Sequence, residues 1–357
     1  MVFFLLLLLI VAFIGASPSG IHYYNTDYLN KRNTTSINGI FVILIVFSHF
    51  RQYAAFDSVY DEPYLMFCRH VGQMVVATFW FYSGYGMMEA IRRKGDAYVR
   101  GILSKFWKLL LRFDTAVILF LLLGLALGRE FTASQVLLSL TAYSNIGNSN
   151  WYIFDILIEY LLMYAAFRLT AKAGRYRNIA GIITFLILTV GFVFAMMKFG
   201  LPDYFYNTVV LMPVGALFSE CRKGIEKVLL HSDITFSLGA MIVAGIYIVS
   251  YIRIDDYGIK SYTIWALAFT AAVVLFTMKM SICNPVLEWF GAHIFSIYIL
   301  QRLPMMVLKA YGCVDSHPYL CLIAVFAITV PLALVFEKAT DKMIALIEGA
   351  AGKKQVS

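Results

Sequence analysis

Residues 38–51, NGIFVILIVFSHFR, place one histidine, His49, at the end of ten apolar or small residues. Imidazole changes charge near neutral pH, so it can take and return a proton under working conditions. An ionisable side chain in an apolar helix is expensive to keep there and is a functional candidate by default. The competing reading is an inert, hydrogen-bonded histidine near a helix end. Asp155 and Glu159 are four residues apart and so share one face of a mostly apolar helix, WYIFDILIEYLLMY. A carboxylate often orients the second nitrogen of a catalytic imidazole. A structural pairing of these acids with Arg302 or Arg51 is the alternative. Gln301 and Arg302 also fall inside an apolar stretch, where the arginine suits a donor to a developing negative charge or a partner of Asp155.

These residues need a scaffold, and composition names it. The chain has 357 residues, is 61% hydrophobic and 14% charged, and has a mean hydropathy of +0.76. Soluble domains carry roughly 25% charged residues. Apolar stretches of membrane-spanning length recur from end to end, so the expected fold is all-α, a polytopic transmembrane helical bundle. About ten core spans are expected from residue 38 to 337, preceded by one short uncleaved helix over residues 2–16, since no basic n-region marks a signal peptide. The net charge of +8 sits in short connections: residues 92–108, 168–177, 222–227 and the tail are basic, whereas 56–62 and 253–260 are neutral or acidic. This alternation places the 17–37 loop and the C-terminus in the cytoplasm. Two longer connections, 56–70 and 129–150, then fall on the outer side, where a lid or acceptor groove would sit. The charge reports topology, so no nucleic-acid partner is expected. Five cysteines without metal-like spacing suggest neither a disulfide framework nor a zinc site. No internal repeat stands out, which argues against many transporter folds.

Six segments, in order, resemble the acyltransferase-3 family of bacterial integral membrane proteins, which O-acylate glycans. In that family an Arg or Lys, ten residues and a His mark the first core helix. SINGIFVILIVFSHF is similar, with Asn38 where the cation usually stands. FWFYSGYGMMEAI (79–91) resembles the phenylalanine-rich helix ending in Ser83, Gly84 and Tyr85. SKFWKLLLRF (104–113) resembles the basic Arg-x-x-Arg segment, with Lys105 and Lys108 replacing arginines and Arg112 one turn on. NSNWYIFDILIEYLLMY (148–164), FYNTVVLMPVGALFSE (205–220) and WFGAHIFSIYILQRLPM (289–305) complete the series, with Trp151 in the first, and Tyr298 kept and Gln301 at a common histidine position in the last.

The resemblance implies transfer of an acyl group from acyl-CoA, most commonly acetyl-CoA, to a hydroxyl of a cell-surface or lipid-linked polysaccharide. Residues 1–35 would be the N-terminal helix and a cytoplasmic loop, 36–337 the acyltransferase-3-like membrane domain and 338–357 a cytoplasmic tail, in a bacterial cytoplasmic membrane. His49 is the expected general base, with Asp155 and Glu159 behind it. Lys105, Lys108, Arg112 and Asn38 are the expected donor contacts, lysine acting on phosphate as a point charge. Ordinary positive-inside charge is the plainer reading of Arg92, Arg93 and Lys94. Ser83, Tyr85, Asn150, Trp151, Tyr298, Gln301 and Arg302 are expected to line the acceptor or oxyanion site, and Gly84 to permit close helix packing. No metal is expected. A polysaccharide flippase without covalent chemistry is the alternative function.

Overall fold

The computed structural model describes residues 1–253 and 258–354. Helix α1 (Val2–Phe13) leads to a three-residue strand, β1 (Ala16–Pro18), and then α2 (Lys31–Phe50) carries the histidine segment. Next come α3 (Glu62–Lys94), α4 (Asp96–Ala126) and the short α5 (Ala133–Leu140). Helices α6 (Trp151–Leu169), α7 (Arg177–Lys198), α8 (Leu211–Leu229), α9 (Asp233–Ile252) and α10 (Ile259–Lys279) follow. Strand β2 (Met280–Ile282) precedes α11 (Pro285–Ala292), α12 (Ile294–Leu300), α13 (Arg302–Ala310), α14 (Cys313–Ser316) and the 37-residue α15 (Pro318–Lys354).

The molecule is a helical membrane bundle. Six of the described helices (α2, α4, α7 with its preceding turn, α9, α10 and α15) are each long and apolar enough to cross a bilayer. The segment expected as one span over 286–308 is instead broken. Helix α11 meets the continuation through α12 and α13 at 66°. Counted as one span, that pair makes seven. Connections expected as loops are largely helical. The basic stretch 92–108 is the end of α3, a single linking residue (Gly95) and the start of α4. The 129–150 connection holds α5, closed by a capping box of Thr132 and Gln135, and the tail continues α15 to Lys354.

The bundle also contains a strand pair that the apolar pattern does not announce. β1 pairs antiparallel with β2, Ala16 opposite Ile282. Asn33 anchors it, accepting from Ile282 N at 2.8 Å and donating to Tyr28 O at 2.8 Å. Asn284 donates to Val11 O and Ile14 O, so it ties the end of α1 to the start of α11.

Four glycines set the packing of the core. In lipid, helices gain no hydrophobic stabilisation from meeting each other, so association depends on close contact, and small residues allow it. A Cβ on Gly39 of α2 would lie 1.9 Å from Leu287 O of α11, and one on Gly291 of α11 would lie 1.9 Å from Thr35 O of α2. The same reciprocal fit joins α3 to α8: a Cβ on Gly84 would come within 1.8 Å of Met212 O, and one on Gly215 within 2.0 Å of Phe81 O. The expected packing role of Gly84 is therefore what the structure shows. At the far end of α2, Tyr64 of α3 donates to Phe47 O at 2.6 Å and locks the two helices together.

Substitution of Gly39 or Gly84 by valine forces backbone apart from backbone. Overpacking of this kind costs about 1–3 kcal/mol or more. Both variants are expected to lose most monodisperse protein in size-exclusion chromatography of detergent extracts. Gly224→Val is expected to behave as wild type, because a Cβ there meets nothing within 4 Å.

Candidate active site

His49 lies in the last turn of α2, and two cavities meet at it. A polar cavity of about 440 Å³ is walled by His49, Gln52, Asn148, Ser149, Asn150 and Arg302, among others. A neighbouring cavity of about 290 Å³ shares His49, Gln52, Trp151 and Tyr204 with it and adds Arg51, Arg69 and Tyr298. Through Ile45, Val76 and Tyr298 this middle cavity adjoins an apolar one of about 210 Å³. That one is lined by Phe79, Ser83, Ile153, Ile156 and Phe295 along with the shared residues. The histidine therefore stands between a polar, aromatic-walled space at its own end of the bundle and an apolar space running inward.

The polar wall is built by a loop that Arg302 holds. Its Nε donates to Ser149 Oγ at 2.8 Å, and its Nη2 donates to Gln52 Oε1 at 2.8 Å. Nη1 reaches Tyr53 Oη at 3.4 Å. One guanidinium thus links α13, the end of α2 and the 145–150 loop, which a planar fork of donors is suited to do. Within the loop, Asn150 donates to Ala142 O at 2.8 Å, and Asn148 Oδ1 accepts from Ile146 N at 3.0 Å. Gly147 sits at φ +118°, a conformation that favours glycine, close against the Met306 thioether of α13. Ala142 takes φ 59°, an uncommon backbone state for a residue with a Cβ.

Aromatic rings form the other wall. The Trp151 and Tyr204 ring centroids are 6.1 Å apart, edge to face, and those of His49 and Tyr298 are 6.0 Å apart. The Tyr298 hydroxyl and His49 Nδ1 are both buried without a hydrogen-bond partner among the described residues. An imidazole with an open nitrogen beside a phenol and a guanidinium can accept a proton, while its neighbours donate to a developing negative charge.

Of the residues singled out in the sequence, His49, Asn150, Trp151, Tyr298 and Arg302 line these two cavities, and Ser83 lines the apolar one. Others lie elsewhere. Asp155 is fully buried with neither carboxylate oxygen hydrogen-bonded, and Glu159 accepts from Thr189 of α7 at 2.9 Å. Neither bonds His49 or pairs with Arg302 or Arg51 among the described residues. Gln301 is buried and donates to Tyr298 O at 3.0 Å. Asn38 has a buried Oδ1 with no partner among the described residues.

At the opposite end of the bundle is a cavity of about 610 Å³, walled by Lys31, Thr34, Tyr85, Glu89, Arg92 and Arg93, among others. Tyr85 accepts there from Arg222 Nη1 at 2.9 Å, and Arg92 pairs with Glu89 at 3.0 Å and Glu220 at 3.1 Å. The cations expected from the basic motif face another way. Lys108 pairs with Glu348 of α15 at 2.8 Å, Arg112 with Asp341 of α15, and Lys105 donates to Tyr98 at 2.6 Å. Gln52, Ser149, Tyr204 and Arg69 are site residues that the sequence does not single out, and Arg51 stands out there only as a pairing partner. The Asn- and Ser-rich run before Trp151, SNIGNSN, was the one signal available in the sequence. No cluster of three metal-ligating side chains occurs among the described residues.

Replacing Arg302 with methionine leaves Ser149 Oγ and Gln52 Oε1 without their donor. Faster amide hydrogen exchange is expected across residues 145–150, by at least tenfold, with α6 unaffected. Arg302→Lys should recover only part of the protection, since an ammonium cannot bridge both partners with a fork. Unchanged exchange in both variants would contradict this role for Arg302.

No match occurs among curated proteins or among solved structures. The acyltransferase-3 family model, described as an acyltransferase domain, matches residues 35–337. That match favours acyl transfer over transport without covalent chemistry. The chain belongs to the acyltransferase-3 family and is a membrane O-acyltransferase.

Proposed function

We propose that the protein transfers an acyl group, acetyl in the simplest case, from an acyl-CoA to a hydroxyl of a cell-surface or lipid-linked polysaccharide at a bacterial cytoplasmic membrane. The basic end of the bundle faces the cytoplasm and the His49 end faces outward. The observation that carries the reading is the position of His49, between a polar aromatic cavity at one end and an apolar cavity leading toward the other. Amide and hydroxyl groups beside aromatic faces suit a sugar, and an apolar passage suits an acyl chain on a pantetheine arm.

In the reaction, the acceptor hydroxyl attacks the thioester carbonyl while His49 takes its proton. The oxygen that gains charge is met by the Arg302 guanidinium and the Tyr298 hydroxyl. The C–S bond then breaks, the imidazolium returns the proton to the departing sulfur, and free CoA and the ester result. No acyl-enzyme is required.

The donor phosphates would rest in the basic cavity, which runs from Lys31, about 27 Å along α2 from His49, inward to Thr34 and Tyr82. Lys31 and Arg93 are exposed there and form no ion pair among the described residues. For Lys105, Lys108 and Arg112 to hold phosphate, the partners Tyr98, Glu348 and Asp341 would have to be displaced. That favours Lys31 and Arg93 over the cations of the motif.

Membranes containing His49→Ala, inserted at wild-type level, are expected to lose acyl transfer from acetyl-CoA by at least 10²-fold, the usual scale of a lost general base. The double variant Lys31→Ala/Arg93→Ala is expected to raise the KM for acetyl-CoA about tenfold with little change in kcat. Lys108→Ala should change it less than twofold. Full activity in His49→Ala would overturn the mechanism, and a larger KM effect from Lys108→Ala would return the donor site to the motif residues.

A further inference from the structure

The proposed acceptor cavity carries a charge that a neutral sugar does not need. Arg51 and Arg69 both line the middle cavity beside His49, and neither forms an ion pair with a carboxylate among the described residues. They stand at the end of the bundle opposite the basic cavity. Two such guanidinium groups in one polar cavity suit a phosphate, which each can meet with paired N–H donors.

The middle cavity has a neighbour along α10. Tyr262 lines it, whereas Lys260 and Ser261, two residues and one residue earlier, line a groove of about 570 Å³ between α9 and α10. Ile242, Ile246, Val249 and Ile264 wall that groove. All four are exposed on the outside of the bundle, where acyl chains of the bilayer would be. Arg253 and Lys260 stand at its head. Asp255 and Asp256 of the same connection lie outside the described residues. The outer ends of α3, α9 and α10 are fastened together: His70 of α3 bonds the Tyr251 hydroxyl of α9, and the Tyr251 ring lies 5.2 Å from that of Trp265 in α10. An apolar groove open to lipid thus ends in cations, and the next residue along α10, Tyr262, belongs to the wall of a cavity that also holds cations.

We propose that the acceptor is a glycan carried on a polyprenyl phosphate or diphosphate. This rests on the acyltransferase reading and narrows it. The sugar occupies the polar cavity under Arg302, the phosphate meets Arg51 and Arg69, and the hydrocarbon chain leaves along the α9–α10 groove past Lys260. A finished polysaccharide without lipid would use the sugar cavity but would leave the groove empty.

The full chain in nanodiscs separates these cases with three acceptors sharing one oligosaccharide: linked through diphosphate to a polyprenyl chain, linked through diphosphate to a short water-soluble alcohol, and free. For wild type, kcat/KM is expected to be at least tenfold higher for the polyprenyl form than for the short-chain form, and lowest for the free sugar. Arg69→Gln should reduce the advantage of both diphosphates over free sugar. Gly245→Phe, which fills the groove at a glycine with open space around it, should reduce only the advantage of polyprenyl over short chain.

Binding of the same three compounds to His49→Ala protein provides a readout that needs no catalysis. Tighter binding of the polyprenyl form that Gly245→Phe abolishes supports the proposal even if transfer is absent, in which case the acyltransfer mechanism alone fails. Equal kcat/KM and equal binding for all three acceptors would overturn it. A preference for both diphosphates that is indifferent to chain length would also overturn it, since the phosphate would then belong to the glycan and not to a lipid.

Discussion

A polar reaction centre inside a bilayer must be held by contacts other than hydrophobic attraction, because lipid offers the helices as good an apolar surroundings as they offer each other. Here that restraint comes from two crossings where backbone meets backbone. Gly39 and Gly291 seat α2 on α11, and Gly84 and Gly215 seat α3 on α8. His49 follows Gly39 by ten residues, or about 15 Å along the helix, so the first crossing fixes how high the imidazole stands and which way it faces. The second fixes Ser83 against the apolar cavity and Tyr85 against the basic one. The bond from Tyr64 to Phe47 O closes the frame at the end where the histidine sits.

Within that frame, polarity is divided by position. Arg302 gathers the outer wall by reaching Ser149, Gln52 and Tyr53 at once, so one side chain makes a loop behave as part of the bundle. It can do so because α11 and the helices after it are bent by 66°, which lets α13 start inside the bundle at the level of the loop. The apolar cavity below lacks such groups apart from Ser83 and the tyrosines that flank it. A substrate with a polar sugar at one end and an acyl thioester at the other would find each part matched.

The sequence made the depth of these groups legible but not their bearing. An apolar run with a histidine near its end tells how far along a span His49 lies, and the same holds for Trp151 and Arg302. Those three do meet, along with Tyr298 and Asn150. Asp155 and Glu159 stand in the helix that starts at Trp151, yet their face turns to other neighbours, Thr189 of α7 for Glu159. Lys105 and Lys31 are alike as cations near one end of the bundle, and only packing assigns one to Tyr98 and the other to a cavity. Bearing is decided by which helices touch, and spacing within one helix carries no record of that. The helical continuation of the basic connections is hidden for a related reason, since charge marks the ends of long helices as readily as it marks loops. The β1–β2 pair depends on Asn33 and Asn284, residues whose role appears once α1, α2 and α11 are already together.

In the proposed reaction, donor and acceptor reach His49 from opposite faces of the membrane. Sealed vesicles with the protein in one orientation test it most directly, with acetyl-CoA confined to one side and a membrane-impermeant acceptor glycan confined to one side. Ester formation is expected only when acetyl-CoA is on the side of Lys31 and Arg93 and the glycan is on the side of Trp151 and Arg302. Ester formation with both substrates supplied on a single face, at the same rate, would contradict it.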